Sequence, residues 1–202
     1  YGGLWVASLE YLLHFDIDKR NFTIVDVDED GHKLQQYNRL LFCDSKKRIW
    51  AGGEMGISVF NQVGTSLLPN TDFQIASVLK QAFVNCFYET SSGYLWIGTR
   101  NGLFALKESD KQFLQYTTEN GLPSNVIYGI LEDAYGRLWI STNQGLSCLN
   151  PESGKFRNFT IMDGLQGNQF NAGAYCRKDN GYMLFGGVNG ITSFRPETLI
   201  DN

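Results

Sequence analysis

Histidine is nearly missing from this sequence: His14 and His32 are the only two in 202 residues. With so little imidazole, and with no serine or cysteine in a nucleophile-elbow context, the chain offers few groups for acid–base or covalent catalysis. Cysteine is also sparse. Cys43, Cys86, Cys148 and Cys176 lie 43, 62 and 28 positions apart, which fits no short zinc or redox motif, and they read as small buried hydrophobes within strands. No apolar run approaches the roughly 20 residues needed to cross a bilayer. The opening YGGLWVASLEYLLHF lacks the basic start and small-residue cleavage site of a signal peptide. It begins inside a motif that recurs later, so the chain is expected to be a piece of a longer protein whose targeting and membrane segments lie outside it. Basic charge is short too. Seventeen Lys and Arg face twenty-one Asp and Glu, and the one basic cluster is Lys46-Lys47-Arg48, which argues against a nucleic-acid partner.

What the chain does have is apolar and aromatic material, 43% and 14% of its residues, enough for a folded core. It also has a repeat. GYLWIGTRNGL at 93–103 returns as GRLWISTNQGL at 136–146, and Trp5, Trp50, Trp96 and Trp139 fall 45, 46 and 43 positions apart. Leu184 takes the same slot in GYMLFGGVNGI. Six positions after each marker stands Gly56, Gly102, Gly145 or Gly190, with Tyr11 as the exception in the first copy. A period in the forties is the mark of an array of supersecondary units.

Within one copy the runs VIYGIL, RLWIS, GLSCL and KFRNF are short, rich in β-branched and aromatic residues, and separated by turn residues. Each copy therefore predicts four antiparallel strands. Such a sheet cannot bury both faces alone, and stacking at this period gives a β-propeller. The expected fold is all-β, a propeller fragment of about five four-stranded antiparallel blades in a single segment, 1–202. Its blades run about 4–27, 34–69, 78–117, 124–160 and 168–197, the first and last partial. Trp5, Trp50, Trp96 and Trp139 should wedge between blades, while the glycines supply the positive φ of a tight hairpin. YTTENGLPSN and FTIMDGLQGN, 43 apart, mark the joints between copies.

Asp26, Asp28 and Asp30 with Gly31 match the first half of a calcium loop, but Tyr37 stands where the bidentate glutamate belongs. An acidic turn at a blade joint is the expected reading, with no metal and no other cofactor. Glu89 and Glu132-Asp133 precede the marker strands, where an acceptor can tie down backbone N–H groups. Propeller topology brings the joints and the hairpins between second and third strands to one face. That face carries Glu54, Arg100, Asn101, Asn143, Gln144, Val188 and Asn189 from hairpins, and Asn120, Ser124, Gln166 and Asn168 from joints. Amides that both donate and accept suit a polyhydroxylated ligand, and the same Asn and Gly residues also suit left-handed turns.

The run G-x-L-W-I-G-T-x-x-G-L followed by F-x-x-Y-T-x-x-N-G-L-P-S-N resembles the two-component regulator propeller repeat of Bacteroides-type hybrid two-component systems. Residues 93–103 and 113–125 carry the likeness best, and GNQFNAGAYCRKDNGYMLFGGVNGITSFRPETL resembles a closing blade. The resemblance implies a periplasmic sensor, the ectodomain of an inner-membrane hybrid histidine kinase. It would detect a carbohydrate, commonly an oligosaccharide, and signal across the membrane through segments outside this chain, without kinase activity of its own. Two alternatives stand beside it: a propeller lyase or glycan-active enzyme using His14 or His32 as general base, and a protein-interaction or dimerisation scaffold. An incomplete ring would also leave blade faces and strand edges open, which predicts self-association.

Overall fold

A computed structural model describes residues 3–8, 11–25, 38–64, 66–107 and 112–199. The chain divides into two compact units, Tyr1–Val84 and Asn85–Asn202. Five antiparallel sheets make up an all-β fold consistent with a partial propeller, and the middle three have four strands each.

The first unit holds β1 (Gly3–Ala7), β2 (Leu12–Asp16) and β3 (Asn21–Val25), then β4 (Asn38–Cys43), β5 (Arg48–Gly53), β6 (Gly56–Val63) and β7 (Ser66–Pro69). Both sheets follow chain order. Trp5 lies in β1 and Trp50 in β5, so the first sheet starts at the strand equivalent to the second strand of the next, as its missing opening run predicted. Leu12, Ile49, Ala51, Phe60 and Leu67 form the core between them. The segment after β7, where the sequence shows no ordinary joint, contains a short helix that periodicity did not reveal, α1 (Gln74–Val78). Ile75 and Leu79 are buried, and a Cβ on Gly56 would run into the Leu79 carbonyl, so the helix end seals the β5–β6 hairpin.

The second unit has β8 (Val84–Glu89), β9 (Leu95–Thr99), β10 (Gly102–Lys107) and β11 (Gln112–Tyr116) in its first sheet. Next come β12 (Ile127–Glu132), β13 (Leu138–Thr142), β14 (Gly145–Asn150) and β15 (Lys155–Phe159). The last sheet is β16 (Phe170–Arg177), β17 (Met183–Gly187) and β18 (Gly190–Phe194). β9 packs on β12 and β12 on β16. Every residue of β9 and β13 is buried, because a middle strand of a stacked sheet is covered on both faces. Trp96 and Trp139 sit in these strands at 2% and 1% exposure. Each faces the next sheet's apolar residues, Trp96 in a cluster with Ile130 and Leu138, Trp139 in one with Phe170 and Phe185.

Candidate functional site

Two kinds of loop repeat along the second unit, and hydrogen bonds tie them together. In the β9–β10 hairpin, Thr99 Oγ1 donates to the Gly102 carbonyl at 2.8 Å and accepts from Asn101 N at 2.9 Å. Thr142 does the same with Gly145 and Gln144. Each hairpin glycine, at φ +119° and +112°, then donates its N–H to the following joint, Gly102 to the Asn125 carbonyl at 2.7 Å and Gly145 to the Asn168 carbonyl at 2.6 Å. The joints are single 3-10 turns with reciprocal caps. Thr117 and Asn120 cap each other across Thr118–Asn120, Thr160 and Asp163 across Ile161–Asp163, and Gly121 and Gly164 end the turns left-handed.

The amides expected on this face largely serve that frame. Asn120 Oδ1 accepts from Thr117 N, and Asn168 Oδ1 accepts from Ile161 N, both at 2.8 Å. Gln166 accepts from Asn189 N at 2.8 Å and donates to the Gln169 carbonyl at 3.2 Å. Ser124 is buried and accepts from Val126 N. Arg100, Asn101, Gln144, Val188 and Asn189 are exposed, while Asn143 is half-buried with its Oδ1 lacking a partner among the described residues. In the first unit Glu54 forms an ion pair with Arg39. Asp26, Asp28, Asp30 and His32 lie outside the described residues. His14 is buried, its ring 4.6 Å from that of Trp5.

On the other side of the sheets, a carboxylate anchors the marker tryptophan. Asp133 Oδ1 accepts from the backbone N–H of Tyr135 and Arg137 at 2.9 and 3.0 Å, the turn role expected for an acidic residue there. Its Oδ2 accepts from Arg137 Nε at 2.7 Å and Trp139 Nε1 at 2.9 Å. Asp44, Arg48 and Trp50 repeat the arrangement at 2.6 and 2.8 Å. Burial pushes the Asp44 carboxyl up, but the Trp50 indole and the Arg48 backbone and guanidinium outweigh it and hold the group below its ordinary value.

The copy around Trp96 departs from this pattern. DSKKRIW and DAYGRLW become TSSGYLW, so Thr90 and Tyr94 replace the aspartate and arginine. Thr90 Oγ1 bonds to Ser92 Oγ and the Tyr94 backbone instead, and Trp96 Nε1 is buried with no partner among the described residues. Beside it opens a cleft of about 300 Å³ between the second unit's first two sheets. Tyr94, Trp96, Leu114 and Tyr116 line one side, with Glu132, Tyr135, Asn150 and Glu152 on the other. The Tyr116 ring stacks on Trp96 at 5.8 Å, and burial, aided by nearby Tyr94, pushes its phenol above the ordinary value, so it stays a neutral donor. Glu132 is held by Ser91, which donates from its backbone N–H at 3.0 Å and its hydroxyl at 2.9 Å. The turns at this cleft are β8–β9, β12–β13 and β14–β15, at the strand ends opposite the hairpin-and-joint face. Sequence reasoning missed it because the repeated tryptophan drew attention to what the copies share. The signal was the substituted position, Thr90, in line with Asp44 and Asp133.

Comparison with known proteins agrees with this anatomy. The two component regulator propeller family matches residues 79–101 and 121–144, covering the β8–β9 and β12–β13 strand pairs. A histidine kinase of Formosa agariphila is 29% identical over 195 residues, which are 93% of this chain and 14% of the kinase. The extracellular domain of a hybrid two component system of B. thetaiotaomicron superposes with a TM-score of 0.80 at 23% identity, over 97% of this chain and 26% of that one. A virginiamycin B lyase from Staphylococcus aureus shares the fold at a TM-score of 0.60 and 15% identity, over 96% of this chain and 66% of the lyase. Two stretches of the chain, one in each of two successive sheets, thus match the two component regulator propeller repeat. The chain resembles in fold the extracellular domain of that B. thetaiotaomicron hybrid two component system, and spans about a seventh of the kinase it matches.

Proposed function

We propose that the protein is an extracytoplasmic ligand-recognition module of a hybrid two-component histidine kinase, one segment of a larger propeller. It detects a carbohydrate outside the inner membrane and passes a conformational signal to parts of the kinase beyond this chain. The observation that carries this reading is the match of two successive copies to the two component regulator propeller repeat, joined to likeness with a histidine kinase over 93% of the chain. A non-catalytic role fits the side chains. His14 is packed under Trp5, and the carboxylates Asp44, Asp133 and Glu132 are each committed to indole, guanidinium or turn donors.

Calorimetry against a panel of plant, algal and host oligosaccharides tests the reading. Saturable heat with one glycan supports a sensor of that glycan. Absence of heat across the panel, with capture of a second copy or another protein, favours a scaffold instead.

A further inference from the structure

We propose that the cleft between the second unit's first two sheets, floored by Trp96, is a binding site for one uncharged sugar ring. This rests on the carbohydrate reading above and gives it a place other than the hairpin-and-joint face. None of the loop residues expected from the sequence lines this cleft.

The argument is a comparison of the protein with itself. Advancing 43 positions carries Tyr94 to Arg137, Trp96 to Trp139, Leu114 to Arg157 and Tyr116 to Phe159, which together line the corresponding cleft of the next sheet. There Asp133 takes the indole N–H, Arg137 covers the carboxylate, and Phe194 packs on the Trp139 ring at 4.6 Å. That tryptophan is fully used in holding the fold. At Trp96 the same ring keeps its wedge position while the polar partners are gone. A buried donor without an acceptor loses its hydration with nothing in return. The ring rather than its N–H meets the cleft, because the nitrogen itself has almost no exposed surface.

The lining chooses among ligands. Glu132 and Glu152 line the cleft, with Lys107 at the edge of its Tyr94 wall, so among the described residues the carboxylates outnumber the ammonium there, which disfavours phosphates, sulfated sugars and uronic acids. An aromatic cleft with carboxylates also suits an organic cation. Lys107 Nζ, however, already holds the cation's place, 5.0 Å from the Tyr94 ring centroid. A neutral polyol suits this lining, since each hydroxyl can accept from a phenol such as Tyr116 and donate to a carboxylate. Tyr135 lies at the rim, 69% exposed and backed by the Arg137 guanidinium at 5.3 Å, as an aromatic surface for the apolar face of a pyranose. The volume, about 300 Å³, is at the small end of ligand pockets and fits a ring, not a chain.

The test is an NMR titration of the indole ¹H–¹⁵N signals with the methyl glycosides of glucose, galactose, mannose and N-acetylglucosamine, and with choline as the cationic probe. Trp96→Phe removes one indole signal and so assigns it. A second variant, Thr90→Asp with Tyr94→Arg, restores the pattern of the neighbouring copies. It should keep the fold and abolish the response. The expected result is a saturable shift of Trp96 by one or more glycosides, with Trp5, Trp50 and Trp139 unmoved. An unmoved Trp96, or a shift that survives in the double variant, overturns the site. A shift with choline alone overturns the ligand class. Calorimetric heat from an oligosaccharide with Trp96 unmoved overturns this site and leaves the carbohydrate reading standing, whereas silence in both experiments removes the two together.

Discussion

Trp139 donates its indole N–H to Asp133 at 2.9 Å, and Arg137 closes on the same carboxylate oxygen at 2.7 Å. Asp133 is fully buried on its side chain and Arg137 is 19% exposed, so this is a pair in which removing one member strands the others. Asp133→Ala is expected to destabilise the protein by about 3 kcal/mol, read as a lower urea midpoint with unchanged slope. A change below about 0.5 kcal/mol would mean that the tryptophan is held by packing alone.

The hairpin glycines carry two constraints that a turn glycine elsewhere does not. Gly145 sits at φ +112°, and a Cβ there would collide with the Phe159 carbonyl, while Gly136 at φ +75° has open space. Gly145→Ala should cost about 2 kcal/mol or more and Gly136→Ala about 1 kcal/mol. Equal losses in thermal denaturation would contradict the close approach.

Much of this frame was legible in the sequence because each copy is built from local rules. A tryptophan, a glycine six positions on and a turn every ten or so residues follow from strand length and left-handed hairpins, so the number of sheets and the placement of Trp50, Trp96 and Trp139 were readable. The helix Gln74–Val78 was not, since five residues give no period and only the packing of Ile75 defines it. The joint amides were ambiguous for a physical reason. Asn120 and Asn168 carry the chemistry to meet either a sugar or a backbone N–H, and only geometry assigns them to Thr117 and Ile161. The cleft at Trp96 depends on a bond that is missing, which no residue spells out by its presence.

Acid should weaken the first unit through Asp44. Its folded pKa is depressed relative to the ordinary 3.8, so its contribution is fully present above that value and is lost as pH falls through the lower folded one. Stability should therefore decline with decreasing pH below about 4, and Asp44→Asn should flatten that decline. Identical acid profiles for the two proteins in circular dichroism would rule out Asp44 as a contributor.

The thiols should separate by burial. Burial was expected of all four, but only Cys86 and Cys148 are buried, the Cys86 thiol pushed up to about 12 by desolvation, while Cys43 and Cys176 are exposed. An aromatic disulfide reagent at mildly alkaline pH is expected to modify Cys43 and Cys176 rapidly and to reach Cys86 only on unfolding. Fast modification of Cys86 in the native protein would show that the packing against Gly98 and Ile127 opens readily.

The central claim, that this propeller domain recognises a ligand, is tested most directly by thermal denaturation across the saccharide panel at increasing concentration. A ligand that binds only the folded state adds about 2.7 kcal/mol at roughly one hundred times its Kd, so the account predicts a Tm that climbs with the logarithm of concentration for one saccharide class. A Tm that stays flat for every saccharide, up to the solubility limit of each, would contradict it.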